Sequence, residues 1–478
     1  MIPYVISSFR GGVSDEDNRG IKGSFKYGNH LNIHKRRDSL TCNQAMVKIS
    51  GGTVTDLIKF FVAGADGTTY AFGDAGKIYS ISDEHGVALK ATDANGAIKG
   101  AGQWGISSAG VITNYLFWAT GTSLARKQMP GNDAWGDESV DWKVDLITSE
   151  TWHTMKRAAA NLLMCNGEYL ALLDFDGVWN PQAMNIEPGN NLSAIESRGD
   201  YAILGSIPQG GEEEGYIWSW IPTATNYVNK KKIPIKGINA LIDGELALLQ
   251  GGADGEIFFS DFSNTEPQIA IPEGGSVNPG GVSIENDLAL FGFYGGDYPG
   301  LWSYGRRARN RPIVLNQEYR LVHDIAGSTI TELGAVFSNN GTTYASWKTT
   351  DGSTLEYGID AVNTTTKATA VYEGLEFDAQ LPHLEKHFRD LHIFMSPLPS
   401  GTSIAAKIKL DKASSWTTIK TPSGASSYST ANSTEAIFNI SANGKILEIG
   451  LTLTPSSNAT PEILSVVVYI ESETDPYG

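Results

Sequence analysis

Two pairs of histidines have a spacing that metal chemistry can use. His383 and His387 are four residues apart, and so are His30 and His34. On a helix this spacing would place both imidazoles on one face, as a zinc site requires. However, the glutamate of His383-Leu-Glu-Lys-His387 lies in the wrong position for either metalloprotease motif, and residues 388–394 have the pattern of a strand. We therefore predict no metal site at either pair.

Other catalytic signatures are missing from the sequence. Asp15-Glu-Asp-Asn18 concentrates oxygen ligands but lacks the twelve-residue spacing of a calcium hand, so we predict a solvated loop there. There is no phosphate-binding glycine loop, no Gly-x-Ser-x-Gly elbow and no dinucleotide fingerprint. Asp74-Ala-Gly76-Lys-Ile-Tyr79 is similar to half of the Asp-box turn of sialidase-type propellers, without a matching arginine cluster. We predict no catalytic residue, no cofactor and no enzyme, while a carboxylate pair flanking a glycosidic bond stays open among 53 acidic residues.

A repeat organises the first two thirds of the chain. Each copy is a short apolar strand, a turn, and then glycine followed by an aliphatic and an aromatic residue, as in Leu246-Ala-Leu-Leu249 with Gly255-Glu-Ile-Phe258. The aliphatic positions are 78, 124, 178, 217, 257 and 301, which gives steps of 46, 54, 39, 40 and 44 residues. This period is typical of four-stranded propeller blades. We predict an all-β fold with a β-propeller of about six blades over residues 51–307.

The pattern changes after an arginine-rich stretch. Gly305-Arg-Arg-Ala-Arg-Asn-Arg-Pro312 predicts a linker, which we bound at 308–315. Beyond it, Ile404, Ala406 and Ile408 alternate with polar residues, and so do the aliphatic residues at 447–453 and 464–470. Period two indicates antiparallel strands with one buried face. Residues 316–478 are therefore predicted to form a C-terminal antiparallel β-sandwich, and the polar, glycine-rich residues 1–50 an N-terminal arm.

Composition and charge limit the classes of function. The formal net charge is −17, which argues against nucleic-acid binding as a primary role because such a surface repels phosphate. Cys42 and Cys165 are too few for a disulfide framework, and Cys165 follows Leu162-Leu-Met as a buried small hydrophobe would. No apolar stretch approaches 18 residues, so we predict no membrane anchor. We expect the chain to fold in a reducing cytoplasm.

The architecture of the whole chain resembles that of one class of known proteins. The chain opens with Phe9-Arg-Gly-Gly-Val-Ser-Asp15, continues with Ser24-Phe-Lys-Tyr27 and His30-Leu-Asn-Ile33, and ends with Pro461-Glu-Ile-Leu-Ser-Val-Val-Val-Tyr-Ile470. With propeller blades between them, these segments resemble the tail structural proteins of bacteriophages. The plan is similar to the propeller-built nozzle or hub proteins of short-tailed phages.

The resemblance implies a function without implying catalytic residues. It implies a structural virion protein of the tail, made in the host cytoplasm and bound to other tail proteins. It further implies a homo-oligomeric ring, with a hexamer as the first expectation, around the DNA exit channel. We expect DNA to pass without specific binding, because acidic walls repel phosphate. Contacts are expected at the insertions 130–138, 210–215 and 274–281, while Lys230-Lys-Lys232 is expected to be a solvated face.

Two alternatives stay open on the residues alone. A carbohydrate- or receptor-binding propeller, with a sialidase-like glycosidase as its less favoured form, would need aromatic platforms and acids that converge on one face. Trp179, Trp218 and Trp302 instead recur at equivalent blade positions, which favours core packing. A cytosolic scaffold would have the same blades and would differ only in its partners.

Overall fold

A computed structural model describes most of the chain. The described residues are 2–14, 21–34, 37–121, 123–129, 135, 138–147, 152–210, 214–243, 248–252, 256–270, 276–294, 299–323, 329–339, 341–352 and 354–472. Every regular element among them is a strand, so the predicted all-β class is confirmed. None of these residues forms a helix with the length and apolarity needed to cross a membrane. The acidic cluster at 15–18 lies outside the described residues.

Five four-stranded antiparallel sheets follow one another along the chain as consecutive hairpins. Six short strands precede them, namely β1 (Ile2–Ile6), β2 (Gly12–Val13), β3 (Ser24–Asn29), β4 (Leu31–Asn32), β5 (Leu40–Cys42) and β6 (Gln44–Lys48). Blade 1 has β7 (Ile58–Ala63), β8 (Thr69–Gly73), β9 (Lys77–Ile81) and β10 (Val87–Thr92). Blade 2 has β11 (Gly100–Ser108), β12 (Val111–Ala119), β13 (Leu124–Met129) and β14 (Ser139–Lys143). Blade 3 has β15 (Met155–Ala158), β16 (Asn161–Asn166), β17 (Tyr169–Leu173) and β18 (Trp179–Asn185). Blade 4 has β19 (Asn190–Arg198), β20 (Tyr201–Pro208), β21 (Gly215–Trp220) and β22 (Asn229–Ile233), and blade 5 has β23 (Ile238–Asp243), β24 (Leu248–Gly252), β25 (Glu256–Ser260) and β26 (Thr265–Ala270).

The remaining strands complete the blades and form two larger sheets. They are β27 (Ser276–Glu285), β28 (Leu288–Tyr294), β29 (Gly300–Gly305), β30 (Val314–Tyr319), β31 (Ile330–Asn339), β32 (Thr342–Asp351), β33 (Thr354–Lys367), β34 (Ala370–Gly374), β35 (Lys386–Met395), β36 (Ser403–Leu410), β37 (Thr417–Ile419), β38 (Ser427–Tyr428), β39 (Glu435–Gly444), β40 (Leu447–Thr454) and β41 (Glu462–Ser472). A sixth four-stranded sheet has the order β31-β32-β33-β6. The six-stranded sheet has the order β39-β35-β41-β5-β4 with β1 beside β41, and the eleven-stranded sheet has the order β27-β28-β29-β30-β3-β34-β40-β36-β37 with β2 and β38 at its sides.

The blade pattern therefore occurs seven times rather than about six. The strands β27–β30 follow one another at one end of the eleven-stranded sheet as a sixth blade, and β31–β33 start a seventh. The first strands of successive blades contact one another from β7 through β11, β15, β19, β23 and β27 to β31, and β31 contacts β7. The propeller prediction is confirmed, and its blade count is corrected to seven.

The seventh blade was not predicted because its fourth strand is β6, which precedes the first blade in the chain. Ile49 donates its backbone N–H to the carbonyl of Ile359 at 2.9 Å, and Lys48 forms an ion pair with Glu356. Strand exchange of this kind closes the ring of blades without leaving an unpaired edge. The residues around 330–361, predicted to belong to the sandwich, therefore belong to the propeller.

The chain divides into two compact units. The propeller unit comprises Val47–Leu301 and Leu321–Ala361, and the second unit comprises Met1–Met46, Trp302–Arg320 and Val362–Gly478. By this division β30 and most of β29, which follow β28 in the order of a blade, are counted with the second unit. These bounds differ from the predicted ones at 51, 307 and 316. Residues 308–315 are not a linker between two domains either, because they lie within the second unit and run into β30.

The propeller unit has its apolar core between the blades. One cluster joins β16 and β17 to β20 and β21 through Leu163, Cys165, Leu204 and Trp218. Comparable clusters lie between blades 1 and 2, blades 2 and 3, blades 4 and 5, and blades 7 and 1. Both faces of a blade are therefore buried against its neighbours, which explains the continuous apolar runs of the repeat.

The second unit includes the predicted N-terminal arm as part of its core. Phe9, Phe25 and Leu40 have 0% exposure, and the rings of Phe9 and Phe25 lie 5.8 and 5.5 Å from that of Tyr372. An added Cβ on Gly11 would lie 2.1 Å from the backbone nitrogen of Ser24. The glycines of this segment thus permit close packing of two backbones. The arm prediction is wrong, because these residues form strands β1–β6 instead of lying on a surface.

The C-terminal strands have the alternation that the sandwich prediction required. Ile404, Ala406 and Ile408 of β36 are buried, whereas the residues between them are partly exposed. Strand β40 pairs with β36 on one side and with β34 on the other. In the other sheet, β41 pairs with both β35 and β1, in a register that puts Ile470 opposite Ile2.

Candidate functional site

The predicted histidine pairs do not form metal sites. His387 lies on β35 with its Nδ1 2.7 Å from Asn443 Oδ1, and His383 lies in the preceding turn, so no helix aligns the two rings. His30 and His34 lie in the turns that follow β3 and β4, and both are buried. Within the described part of the chain, no group of three or more His, Cys, Asp or Glu residues is arranged to hold a metal ion.

His34 instead belongs to a buried polar cluster around Glu318 in the second unit. Glu318 is 2% exposed and accepts hydrogen bonds from Ser303 Oγ at 2.7 Å, Asn316 Nδ2 at 2.8 Å and Asn43 Nδ2 at 2.8 Å. His34 Nε2 lies 3.2 Å from a carboxylate oxygen of Glu318. Burial alone would raise the pKa of Glu318, but His34 and the other donors keep it below its ordinary value.

The polar residues of the cluster are shielded from solvent. Asn43, Asn316 and Ser303 are each buried. The carboxylate has four close polar neighbours, and they come from two parts of the chain that are far apart in sequence. We therefore assign Glu318 a structural role: it links residues 34–43 to residues 303–318.

The arginine-rich stretch also has structural partners. Arg311 Nη1 donates to the carbonyl oxygen of His34, and Arg306 Nη1 donates to that of Arg309 at 2.8 Å. The lysine run in the propeller unit likewise has specific contacts, since Lys230 pairs with Glu187 and Lys232 with Glu214. Lys230 also lies 4.2 Å from the ring centre of Tyr216. The lysines at 230–232 thus lie on an exposed or half-exposed face, as expected, and form ion pairs there.

At the centre of the propeller unit, three first strands meet closely. The register between β27 and β28 shifts between Val277 and Val282, so β27 bulges there. An added Cβ on Gly280 would lie 1.9 Å from the carbonyl oxygen of Lys59 in β7, and one on Gly334 in β31 would lie 2.0 Å from that of Ile58. Residues 276–281, expected to be part of a contact loop, thus form an inner strand. The other two expected contact loops lie largely outside the described residues.

Charges on these first strands are paired rather than uniformly acidic. Lys59 Nζ lies 2.5 Å from Glu332, which also lies 3.5 Å from Lys348 Nζ, and Lys156 Nζ lies 2.8 Å from Glu196. Burial would raise the pKa of Glu332, but Lys59 and Lys348 keep it below its ordinary value.

The tryptophans of the repeat are mainly core residues. Trp218 and Trp302 have 0% exposure, as the equivalent blade positions indicated. Trp179 is only partly buried, and its Nε1 donates to the carboxylate of Asp145 at 3.0 Å. None of these three tryptophans lines the one aromatic cleft that we describe next.

This cleft lies between blades 1 and 2 of the propeller unit and has a volume of about 470 Å³. The rings of Tyr70 and Trp135 stand 5.7 Å apart at 46°. Lys127 Nζ lies 5.0 Å from the ring centre of Trp135. The remaining lining residues are a mixture of polar and apolar ones, namely Asp66, Thr68, Ser80, Ser82, Gly86, Val87, Ala88, Lys90 and Met129. The volume lies within the usual range of small-ligand sites, while the lining is more polar than is typical of them.

A tight turn positions the carboxylate of this cleft. Asp66 accepts from Tyr70 Oη at 2.8 Å and from the backbone N–H of Thr68 at 3.1 Å. Gly67 adopts a positive φ of 84°, which lets the turn between β7 and β8 close. An added Cβ on Gly64 would lie 2.5 Å from Asp66 Oδ1 and 2.7 Å from the Tyr70 ring. Glycine is therefore required at position 64 for this pair to form.

Only part of this cleft could be recognised in the sequence. The insertion at 130–138, which contains Trp135, stands out as a contact loop, but nothing in the sequence connects it with Asp66 and Tyr70. The available signal was Asp66 four residues before Tyr70, across a Gly-Thr-Thr turn. A second cleft of about 480 Å³ lies near the closing strand, where Lys48 and Glu356 pair with each other.

Comparisons with known proteins assign the chain to no family. No protein-family model matches it, and no curated protein matches it. It is similar to the extracellular domain of a one-component system protein from B. thetaiotaomicron, with 15% identity and a TM-score of 0.46 over 74% of this chain and 45% of that one. It is also similar to the computationally designed Ika8 protein, with 11% identity and a TM-score of 0.40 over 70% and 97%. A further similarity is to the β-propeller domain of Cps50 (Swd1) from Myceliophteria thermophila, with 13% identity and a TM-score of 0.43 over 66% and 99% of the two chains.

Proposed function

We propose that the chain is a non-enzymatic structural component of a phage virion, a tail nozzle or hub protein that forms part of the DNA exit channel. One observation carries this proposal: the start, middle and end of the chain are bonded into a single unit. Strand β1 pairs with β41, Ser39 Oγ donates to Glu462 at 2.9 Å, and Asn43 donates to Glu318 at 2.8 Å.

Such bonding suits a protein that has to persist outside the cell. The second unit consists of three chain segments, and none of them can unfold without breaking its contacts with the other two. Cooperative opening of this kind gives slow unfolding, and the operational stability of a long-lived assembly is an unfolding rate. The polar groups that we describe in this unit are engaged in such links rather than directed at an open cavity.

The proposed channel is enclosed by several copies, not by one propeller. In the propeller unit, β27, β31 and β7 approach to within backbone contact, which leaves no passage for a duplex between them. The charges of these first strands are also paired. The acidic wall that lets DNA pass without binding is therefore assigned to the surface that each copy turns toward the channel of the ring, in keeping with the net charge of −17.

An exposed apolar tip is the proposed contact between copies. Val111 and Ile112, where β12 leaves its hairpin with β11, are 66% and 57% exposed. Val178 in the neighbouring blade is 59% exposed, and an added Cβ on the adjacent Gly177 would lie 2.8 Å from Ile106 of the same hairpin. Clustered exposed aliphatic residues favour a protein interface.

The mass of the native protein tests this proposal, alone and mixed with purified tail components. A ring, or a monomer that becomes a ring on a tail partner, supports the proposal, and a hexamer is the first expectation. Ile112→Asp should prevent assembly, whereas Leu89→Asp, at a residue 55% exposed in blade 1, should not. A monomer that ignores every tail component contradicts the proposal.

A second candidate function is a carbohydrate- or receptor-binding propeller. The observation that favours it is the cleft between blades 1 and 2, where two aromatic rings and a fixed carboxylate come together. This candidate does not require a ring of copies.

A further inference from the structure

We propose that the cleft between blades 1 and 2 binds one hexopyranose unit of a glycan. The inference deepens the second candidate function and is independent of ring assembly. It concerns Asp66, Tyr70, Lys90, Lys127 and Trp135, all of which line the cleft.

The carboxylate of Asp66 is the acceptor for sugar hydroxyls. An ionised carboxylate has about four lone-pair positions. Tyr70 Oη occupies one on Oδ2, and the backbone N–H of Thr68 occupies one on Oδ1. These two bonds fix the plane of the carboxylate and leave one free position on each oxygen. Two adjacent hydroxyls of a pyranose ring match that arrangement.

Trp135 supplies the face against which the sugar ring packs. Its ring is partly exposed, while its neighbour Tyr70 is 5% exposed. Trp118, 6.5 Å away, supports it from the apolar cluster between the two blades. The C–H groups on one face of a pyranose carry partial positive charge and contact an aromatic face favourably. A flat ligand with hydroxyls at its edge can therefore use the tryptophan and the carboxylate together.

The lysines and serines complete the polar edge of the cleft. Lys90 is exposed on β10, and Lys127 is 3% exposed on β13, on opposite sides of the cleft. Ser80 and Ser82 add hydroxyl groups from β9 and the turn after it. Ammonium and hydroxyl groups can donate to ring and glycosidic oxygens. With one carboxylate and two ammonium groups, the cleft also accommodates a sugar that bears a carboxylate.

Binding of four defined sugars to the full-length protein tests the proposal. The probes are glucose, galactose, N-acetylglucosamine and glucuronic acid, each titrated to about 10 mM, which covers the millimolar affinities of ligands with few contacts. The readout is saturation-transfer NMR together with tryptophan fluorescence. Binding of at least one sugar supports the proposal, and glucuronic acid as the tightest ligand would identify the lysines as charge partners. Absence of binding by all four overturns it.

Three variants separate cleft binding from binding elsewhere. Trp135→Ala and Asp66→Asn should each weaken binding more than tenfold, and Tyr70→Phe should weaken it severalfold because it releases one oxygen of Asp66. Asp66 is exposed in a turn, so Asp66→Asn should leave the core intact. This variant therefore still tests the cleft if Trp135→Ala disturbs the core. Trp142→Ala, at a blade 2 tryptophan that packs against Phe117, is the matched control. Equal loss in the control, or retained binding in Asp66→Asn, contradicts the assignment while leaving the ring proposal untouched.

Discussion

The propeller unit repeats one kind of buried polar contact at successive blade junctions, whereas the second unit gathers its buried polar groups around a single carboxylate. In the propeller, Thr154 Oγ1 donates to the carbonyl of Ser193 at 2.6 Å, and Ser193 Oγ donates to that of Ile238 in the next blade. At the closing junction, Ser346 Oγ donates to the carbonyl of Ile58. Each contact joins neighbours only, so each one can be lost separately.

Glu318 differs because several donors depend on one acceptor. Ser303, Asn316 and Asn43 would all lose a partner if the carboxylate were removed. A distributed set of junction bonds gives graded losses, while a shared acceptor gives one large loss. The two units therefore reach tight closure by different means, and the following substitutions and pH changes should affect them differently.

The largest effect is expected for Glu318→Leu. Removal of this acceptor leaves buried amide and hydroxyl donors unpaired, and breaking a buried charged pair from one side costs about 3–5 kcal/mol. Peptide-resolved hydrogen exchange should show the loss in the second unit. Glu214→Leu, which removes an exposed partner of Lys232, is the control and should leave the exchange unchanged. Equal effects of the two substitutions would refute the shared-acceptor account.

A fall in pH should lower the free energy of unfolding of both units, because each contains a buried histidine with a lowered pKa. Burial lowers the pKa of His30 in the second unit and of His153 in the propeller to about 4. The unfolded chain binds a proton at each histidine below about pH 6.5, while the folded chain does not until about pH 4. Stability is therefore complete above pH 6.5 and falls by up to about 3 kcal/mol per histidine as the pH drops to 4.

A substitution at His153 assigns this pH dependence to one unit. His153 Nδ1 lies 2.8 Å from the carbonyl oxygen of Cys165, a contact in which it donates its proton. His153→Asn keeps a donor but cannot titrate, so the propeller should lose its slope between pH 6.5 and 4 while the second unit keeps its own. Hydrogen exchange at several pH values measures both. An unchanged propeller slope would rule out His153 as the titrating group.

A moderate effect is expected for Gly334→Ala at the closing junction. The added Cβ would meet the carbonyl oxygen of Ile58 at 2.0 Å, and backbone cannot move aside as a side chain can. We expect a loss of about 1–3 kcal/mol in the propeller unit. Gly444→Ala, whose nearest neighbour is the side-chain atom Leu410 Cδ2 at 3.1 Å, should cost less. The reverse order would mean that the junction is loosely packed.

The smallest effect is expected for Lys59→Met. Glu332 would keep Lys348 at 3.5 Å, so the substitution should cost about 1 kcal/mol. Thermal unfolding of the propeller measures this loss, with Lys232→Met as an exposed control. A loss as large as that of Glu318→Leu would remove the distinction between the two units.

Local pattern predicted the blades but could not predict how they close. Gly76 with Ile78 and Tyr79 marks a blade because the turn requires positive φ, which is 81° at Gly76, and the strand after it is buried. In the seventh blade the glycine-aliphatic-aromatic sequence, Gly334-Ala-Val-Phe337, lies inside the ten-residue first strand β31 rather than after a turn. Its fourth strand is some three hundred residues away, and no local signal reports such a pairing.

The same limit explains the N-terminal segment and the cleft. Gly11 and Gly12 resemble flexible loop residues in sequence, yet they allow strands to approach more closely than a Cβ would permit. Asp66 and Tyr70 come from blade 1, while Lys127 and Trp135 follow from blade 2 and its insertion. Proximity of this kind depends on packing between blades, which hydrophobic periodicity does not encode.

The pairing of Ile49 with Ile359 also determines when the propeller can close during synthesis. Ile49 leaves the ribosome long before Ile359, the residue to which its N–H is bonded in the finished propeller. The 310 residues between them take about 15–60 s to translate at about 5–20 residues per second. Throughout that interval the nascent chain has an open series of blades with both end faces uncovered. The last contacts of the propeller can therefore form only after residue 359 has been synthesised.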